Sequence, residues 1–327
     1  MLLPWQQADW ARLAQQFDRL PGALLLTGAQ GIGKDRFARF VAQSLLCEAP
    51  AADHAACGQC EACRWFLAGN HPDYRLLAPD DERDDDKPAR KLLLIKVEAV
   101  RDIIEFAQLS AHRGGRRVVL VEPAETLNLA SANALLKILE EPPEGVHFVL
   151  VAHRPRRLLP TILSRCRAFP LTPPAADVAL AWLETAGVDN PEIELARAGG
   201  APFALTDGAR VPLREKFAAV LAHPDAQAIL ALSGELDRAK LALAEPLDWL
   251  RKWLHDLLAA GTASPVRYYP DHAAAIERLS HRAPAVRFAR FDHEIVALAP
   301  YGQHTLNVRL QVEKLLFDYQ QLFAGTR

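Results

Sequence analysis

Short continuous apolar runs alternate with helical periodicity over the first half of the chain, and beyond that point the runs stop. "ALLLT" at Ala23 to Thr27 ends on a glycine-rich segment and reads as a buried parallel strand. Phe37, Val41 and Leu45 then recur at helical spacing. Lys91 to Ala111 carries Val97, Val100, Ile103, Ile104 and Ala107 on one face, which predicts a helix. "HRGGRR" (His112 to Arg117) is a turn and "VVLV" (Val118 to Val121) a second strand. Leu135, Leu136 and Leu139 share a helical face that must stop at Pro142-Pro143. "HFVLV" (His147 to Val151) and "RAFPL" (Arg167 to Leu171) predict a third and a fourth strand. Strands alternating with helices imply a parallel sheet covered on both faces.

Thr172-Pro173-Pro174 reads as a linker, its threonine placed to cap the next helix. Asp177 to Ala186, Pro191 to Ala198, Ala239 to Ala260 and His304 to Phe323 are helical in pattern, with a break at Gly199-Gly200. No further strand is expected, and the part from about Gly208 reads as a helical bundle. "DDERDDDK" (Asp80 to Lys87) is a charge run with the character of a solvated loop.

A chain of 327 residues suits two or three domains. With 50% apolar and 24% charged residues it has an ordinary globular composition. Lys and Arg total 38 against 40 Asp and Glu, a net charge of −2, and the pI is near 6.6, so any nucleic-acid contact has to be regional. No apolar run approaches the roughly 18 residues needed to span a bilayer, and Asp9 and Arg12 interrupt the apolar start. A cytoplasmic location with reduced cysteines is the expectation.

Two motifs carry chemistry. Gly28, Gly33 and Lys34 complete most of a phosphate-binding loop, between a strand and a helix as such a loop requires. The next position should hold a magnesium-binding hydroxyl and holds Asp35. A carboxylate about 4 Å from a phosphate oxygen costs on the order of 4 kcal/mol at an effective dielectric of about 20. The second strand should end in Asp-Glu and ends in Val121-Glu122-Pro123. Glu122 could still meet a metal, but Pro123 cannot activate water. The favoured reading is a loop whose glycines turn strand into helix, with no working ATP site; the alternative is a self-sufficient ATPase using Glu122 and Asp35.

Cys47, Cys57, Cys60 and Cys63 form C-x9-C-x2-C-x2-C. Two residues between cysteines let a tight turn aim both sulfurs at one ion, so the cluster predicts a structural zinc with no open position. The bland alternative is four reduced thiols, and a zinc-ribbon nucleic-acid binder is a further one. Cys166 stands apart as a packed residue. His112, Arg113, Arg116 and Arg117, with Arg154, Arg156 and Arg157, form a local basic excess that suits either nucleic-acid phosphates or solvated turns and ion pairs.

"CGQCEACRWFLAGNHPDYRLLAP" (Cys57 to Pro79), "SANALLKILEEPP" (Ser131 to Pro143) and "TILSRC" (Thr161 to Cys166) resemble the delta prime subunits of bacterial DNA polymerase III clamp loaders, within the AAA+ family. "NHPD" (Asn70 to Asp73) and the degenerate loop separate that resemblance from the ATP-hydrolysing gamma or tau subunits. The resemblance implies an AAA+ α/β parallel-sheet domain over residues 1–170 with a zinc module at about 47–75. A small helical lid over 171–207 and an all-helical collar over 208–327 follow. It implies a subunit that does not hydrolyse ATP itself and sits with gamma or tau and delta subunits in a hetero-pentamer. That ring opens a sliding clamp for primer-template DNA. Arg165 would be an arginine finger, reaching in trans to the γ-phosphate of ATP on a neighbour. Family ATPases carry a further nucleotide-sensing arginine, and "AGGAPFAL" (Ala198 to Leu205) has none.

Overall fold

The computed structural model describes residues 2–79, 94–113, 115–298 and 307–324. Chain contacts divide it into two compact units. The first holds the described residues up to Trp182 together with Ala201–Ala204, and the second holds Leu183–Gly200 and the residues from Leu205 on.

The first unit is built on one five-stranded parallel sheet. β1 (Ala23–Thr27) lies between β4 (Val146–Val151) and β5 (Arg167–Pro170); β3 (Arg117–Val121) lies between β4 and the edge strand β2 (Tyr74–Leu77). Leu24 pairs with Val149 and Leu26 with Val151, so successive side chains of each strand feed opposite cores. Leu24, Leu26, Val118, Leu120 and Val149 pack on one side against α1 (Gln7–Ala14) and α2 (Lys34–Leu46). Leu25, Val119, Val121, Phe148 and Leu150 pack on the other against α4 (Val97–Gln108) and α5 (Leu129–Glu140). Burial on both faces is why these strands read as unbroken apolar runs. The short α3 (Glu61–Leu67) belongs to the cysteine segment, and α6 (Pro160–Leu163) precedes β5.

The fifth strand, β2, is one that apolar patterning misses. Its four residues include exposed Arg75 and Leu76, and only Leu77 is fully buried, because β2 is at the edge and pairs on one side with β3. The α4 helix starts at Val97, later than Lys91. Residues 91–93 lie outside those described, and Ile95 is held extended by a parallel bridge to Leu127, its N–H donating to the Thr126 carbonyl at 2.9 Å. The Asp80 to Lys87 run also lies outside the described residues. Asn128 caps α5, accepting the Ser131 N–H at 2.8 Å, and the helix ends before the proline pair as expected.

Thr172 does not cap a helix. α7 (Ala176–Thr185) begins four residues later, and Thr172 donates its backbone N–H and its hydroxyl to the Asp9 carboxylate at 2.9 and 3.1 Å. Asp9 also accepts from Arg12 at 2.9 Å. A buried carboxylate with three donors takes the hydroxyl that a cap would have used.

Among its described residues the second unit has helices as its only regular elements, the α-helices being α8 (Pro191–Arg197), α9 (Val211–Ala222), α10 (Ala226–Arg238), α11 (Ala244–Ala260), α12 (Ala273–Ser280), α13 (Ala285–Leu298) and α14 (Val308–Gln321). Trp253 on α11 donates to the Tyr319 hydroxyl at 2.8 Å, which in turn donates to the Leu221 carbonyl at 3.0 Å, so two large amphipathic rings are buried with their polar ends satisfied. Asp256 accepts the N–H groups of Arg267, Tyr268 and Tyr269. α11 starts at Ala244 rather than Ala239, because Lys240 takes a left-handed φ of 53° that closes α10. Among the described residues no helix is long and apolar enough to cross a membrane.

Asp9 is 2% exposed, so Asp9→Ala should leave the Thr172 N–H and hydroxyl without an acceptor and cost about 1–3 kcal/mol, read as a lower urea midpoint at unchanged slope.

Candidate functional site

The glycine loop joins β1 to α2 at the carboxyl end of the sheet, where parallel α/β folds place their chemistry. Gly31 and Gly33 both have φ of 81°, which L side chains rarely adopt. A Cβ on Gly33 would stand 2.4 Å from Leu3, and one on Gly31 would stand 2.5 Å from Ala204. Glycine is needed here because other chain segments lie directly on the loop. Trp5 Nε1 donates to the Ile32 carbonyl at 3.0 Å, Gln6 Nε2 to Gly33 at 2.7 Å and the Phe203 N–H to Gly31 at 2.8 Å. Trp5, Trp182 and Phe203 form an aromatic group over the loop, and the Arg36 guanidinium lies 4.6 Å from the Phe203 ring.

Lys34 opens α2, and its ammonium is turned back onto its own loop, donating to the Gly28 and Ala29 carbonyls at 2.9 and 2.6 Å. Burial pulls its pKa down from 10.5 to about 8, against the opposing pull of Glu125, Asp35 and Glu122. Glu122 is raised, first by burial and then by Asp35. Lys34 thus stands in the field of three carboxylates, and Arg39 acts on Glu122 as well. A triphosphate entering here would meet Asp35, Glu122 and Glu125, with the lysine already hydrogen-bonded elsewhere.

Two members of this group escape a motif-based reading. Glu125 accepts the N–H groups of His153 and Arg154 at 3.0 Å each, and His153, its pKa lowered by burial, stands within the field of Lys34. Their signal is positional: they lie just past the ends of β3 and β4, on the edge of the sheet that carries the loop.

The four cysteines converge. Cys47 follows the last turn of α2, Cys60 caps α3 and Cys63 lies in its first turn; the four sulfurs all lie within 4.8 Å of one another. The Cys47–Cys57, Cys47–Cys60 and Cys57–Cys63 separations are 3.6, 3.9 and 4.0 Å. A tetrahedron of sulfurs about 2.3 Å from zinc has edges of about 3.8 Å, so this donor set fits that ion with no position left for a substrate. The N–H groups of Gln59 and Cys60 point at the Cys57 sulfur and hold its pKa down to about 6, while burial raises Cys47 and pushes Cys63 up to about 12, so in the absence of a cation Cys57 alone of these three favours the thiolate. Cys166 is buried in apolar surroundings that push its thiol up to about 12.

Arg165 follows α6 and is 28% exposed in its side chain; its Nε donates to Glu140 at 2.8 Å and its Nη1 to the Thr161 carbonyl at 3.2 Å. The basic excess divides. Arg117 is buried beside Asp73 at 3.5 Å and donates to the Phe106 and Ser110 carbonyls, and Arg113 pairs with Glu48 and Glu61. Arg154, Arg156 and Arg157 are exposed. Asp73 of the "NHPD" stretch also accepts the N–H groups of His112 and Arg113 at 2.7 and 2.9 Å, so it holds the turn before β3.

Residues 6–175 match the family model described as "DNA polymerase III, delta subunit". The chain belongs to this family. Over 208 residues, 62% of this chain, it is 46% identical to DNA polymerase III subunit delta' of Pseudomonas aeruginosa; over 228 residues, 67% of this chain, it is 37% identical to that of Escherichia coli. The matched stretches take in 60% and 65% of those two relatives' lengths. A DNA polymerase III gamma subunit-related protein from Thermotoga maritima shares the fold at a TM-score of 0.50 and 16% identity, over 96% of this chain and 99% of that one. The family match takes in the glycine loop, the cysteine cluster and Arg165 together.

Two outcomes are expected. Elemental analysis should find one zinc per chain, and Cys47→Ser or Cys57→Ser should release it and lower the melting temperature. Between about pH 8 and 10.5 the unfolded chain holds a proton that folded Lys34 has shed, so Lys34 makes stability rise with pH across that window. Lys34→Met should flatten that rise in urea titrations.

Proposed function

We propose that this chain is the non-hydrolysing delta prime subunit of a DNA polymerase III clamp loader. Its phosphate loop is scaffold, and its contribution to catalysis is Arg165, offered in trans to ATP on a gamma or tau neighbour. The observation that carries this reading is Lys34 bonded to the Gly28 and Ala29 carbonyls of its own loop, amid Asp35, Glu122 and Glu125. The cation that a phosphate loop extends to the nucleotide is already in use, the hydroxyl for magnesium is replaced by a carboxylate, and Pro123 stands where a second acid would activate water.

Arg165 has the features a finger needs. A guanidinium keeps its charge and can grip two phosphate oxygens at once. Its local partner Glu140 is exposed, and an exposed ion pair contributes little, so the side chain can exchange that partner for a phosphate. In this reading the AAA+ sheet domain covers residues 1–170 with a structural zinc module at about 47–75, followed by a helical lid over 171–207 and a helical collar over 208–327. The subunit works in the cytoplasm in a hetero-pentamer with gamma or tau and delta, loading a sliding clamp on primer-template DNA.

In the reconstituted complex, Arg165→Ala should lower clamp- and DNA-stimulated ATPase by about 10³-fold at the site it serves. The isolated wild-type chain should show neither saturable heat on titration with ATP and magnesium nor turnover. An unchanged rate removes the finger; turnover by the isolated chain removes the scaffold reading.

A further inference from the structure

Away from the glycine loop, a cavity of about 400 Å³ opens between α2, the turn after α3 and β2. Its wall includes Arg39, Asn70, His71, Tyr74 and Arg75, and no carboxylate lines it among the described residues. Two guanidinium groups therefore face one cavity, with Glu122 in the field of Arg39 and with Asp73 and Glu48 in that of His71, but none of the three on the wall.

The donors are held in place. Arg75 Nη1 donates to the Tyr74 and Pro72 carbonyls at 2.8 and 3.4 Å, and its guanidinium lies 4.5 Å from the Phe106 ring, which fixes the plane; its other N–H groups have no hydrogen-bond acceptor among the described residues. Arg39 is exposed and stands in the electrostatic field of Glu122 and Tyr74, with no carboxylate oxygen within 4.0 Å among the described residues. His71 is 3% exposed; its Nδ1 accepts the Asp73 N–H at 3.1 Å, so the ring's proton sits on Nε2, which has no hydrogen-bond partner among the described residues. Nearby Glu48 and Glu61 are turned toward Arg113 instead.

We propose that this cavity is a phosphate-binding site, distinct from the degenerate loop, in which Arg39 and Arg75 grip the oxyanion and Asn70 donates its amide. A phosphate suits the wall better than a carboxylate. Two guanidinium forks can serve separate oxygens of one phosphate, and the volume leaves room for the group the phosphate is attached to. The phosphate can be free or part of a nucleic-acid backbone, and the chemistry of the grip is common to both. The inference is independent of the role proposed for Arg165.

The test is calorimetric titration of the full chain with pyrophosphate at fixed ionic strength, on the wild type, Arg39→Gln and Asn70→Ala. Both altered residues are exposed, and thermal melts confirm that the variants fold. The wild type should bind saturably and each variant at least about tenfold more weakly. Competition by a short single-stranded oligonucleotide assigns the site to a nucleic-acid backbone; failure to compete assigns it to a free phosphoanion. The proposal is overturned if the wild type shows no saturable binding, if both variants bind as the wild type does, or if Lys34→Ala abolishes binding while Arg39→Gln does not. Binding of an acidic peptide in place of pyrophosphate also overturns it.

Discussion

A parallel sheet has to be covered on both faces, and that requirement determines where everything else in the first unit can sit. The helices on each side leave only the strand ends free to hold groups that are not apolar. At the carboxyl end the loop after β1 meets the residues that follow β3 and β4, so Lys34, Glu122, Glu125 and His153 come together although more than a hundred residues separate the first from the last. The loop's carbonyls then take their donors from Lys34, Trp5, Gln6 and Phe203. A phosphate loop works by leaving its donors to the ligand; here the lysine and the loop satisfy each other.

Buried carboxylates organise the connections. Asp9 holds the segment after β5, Asp73 the turn before β3 and Asp256 the chain after α11, each by accepting backbone N–H groups that have no place in a helix or strand. Asp73 in addition neutralises Arg117, a guanidinium that would otherwise be a buried unpaired charge. In the second unit Arg214 and Arg197 play the complementary part, bridging Glu194, Glu215 and Asp271 between α8, α9 and the turn before α12. These few buried acidic and basic residues therefore serve as joints, while most of the chain's charge stays outside the core.

The cysteine segment solves a different problem. Between α2 and β2 it contains only the short helix α3, too little apolar surface for a core of its own. Four sulfurs within 4.8 Å of one another gather there, a set able to hold a metal ion and so to tie the segment together.

Apolar runs of four to six residues and periodic helices depend on local chemistry, so the central strands, most helices, the cysteine cluster and the place of the glycine loop between strand and helix could all be read in the sequence. Thr172, β2 and the start of α4 could not: each depends on a partner distant in the chain, respectively Asp9, β3 and the Thr126–Leu127 stretch. Tertiary structure alone decided that the Lys34 ammonium turns inward, that Arg117 is a buried strut while Arg156 is exposed, and that Glu125 and His153 join the loop. The physical reason is the same in every case. Residue type sets what a side chain can bond to, and only folding sets which partner reaches it first.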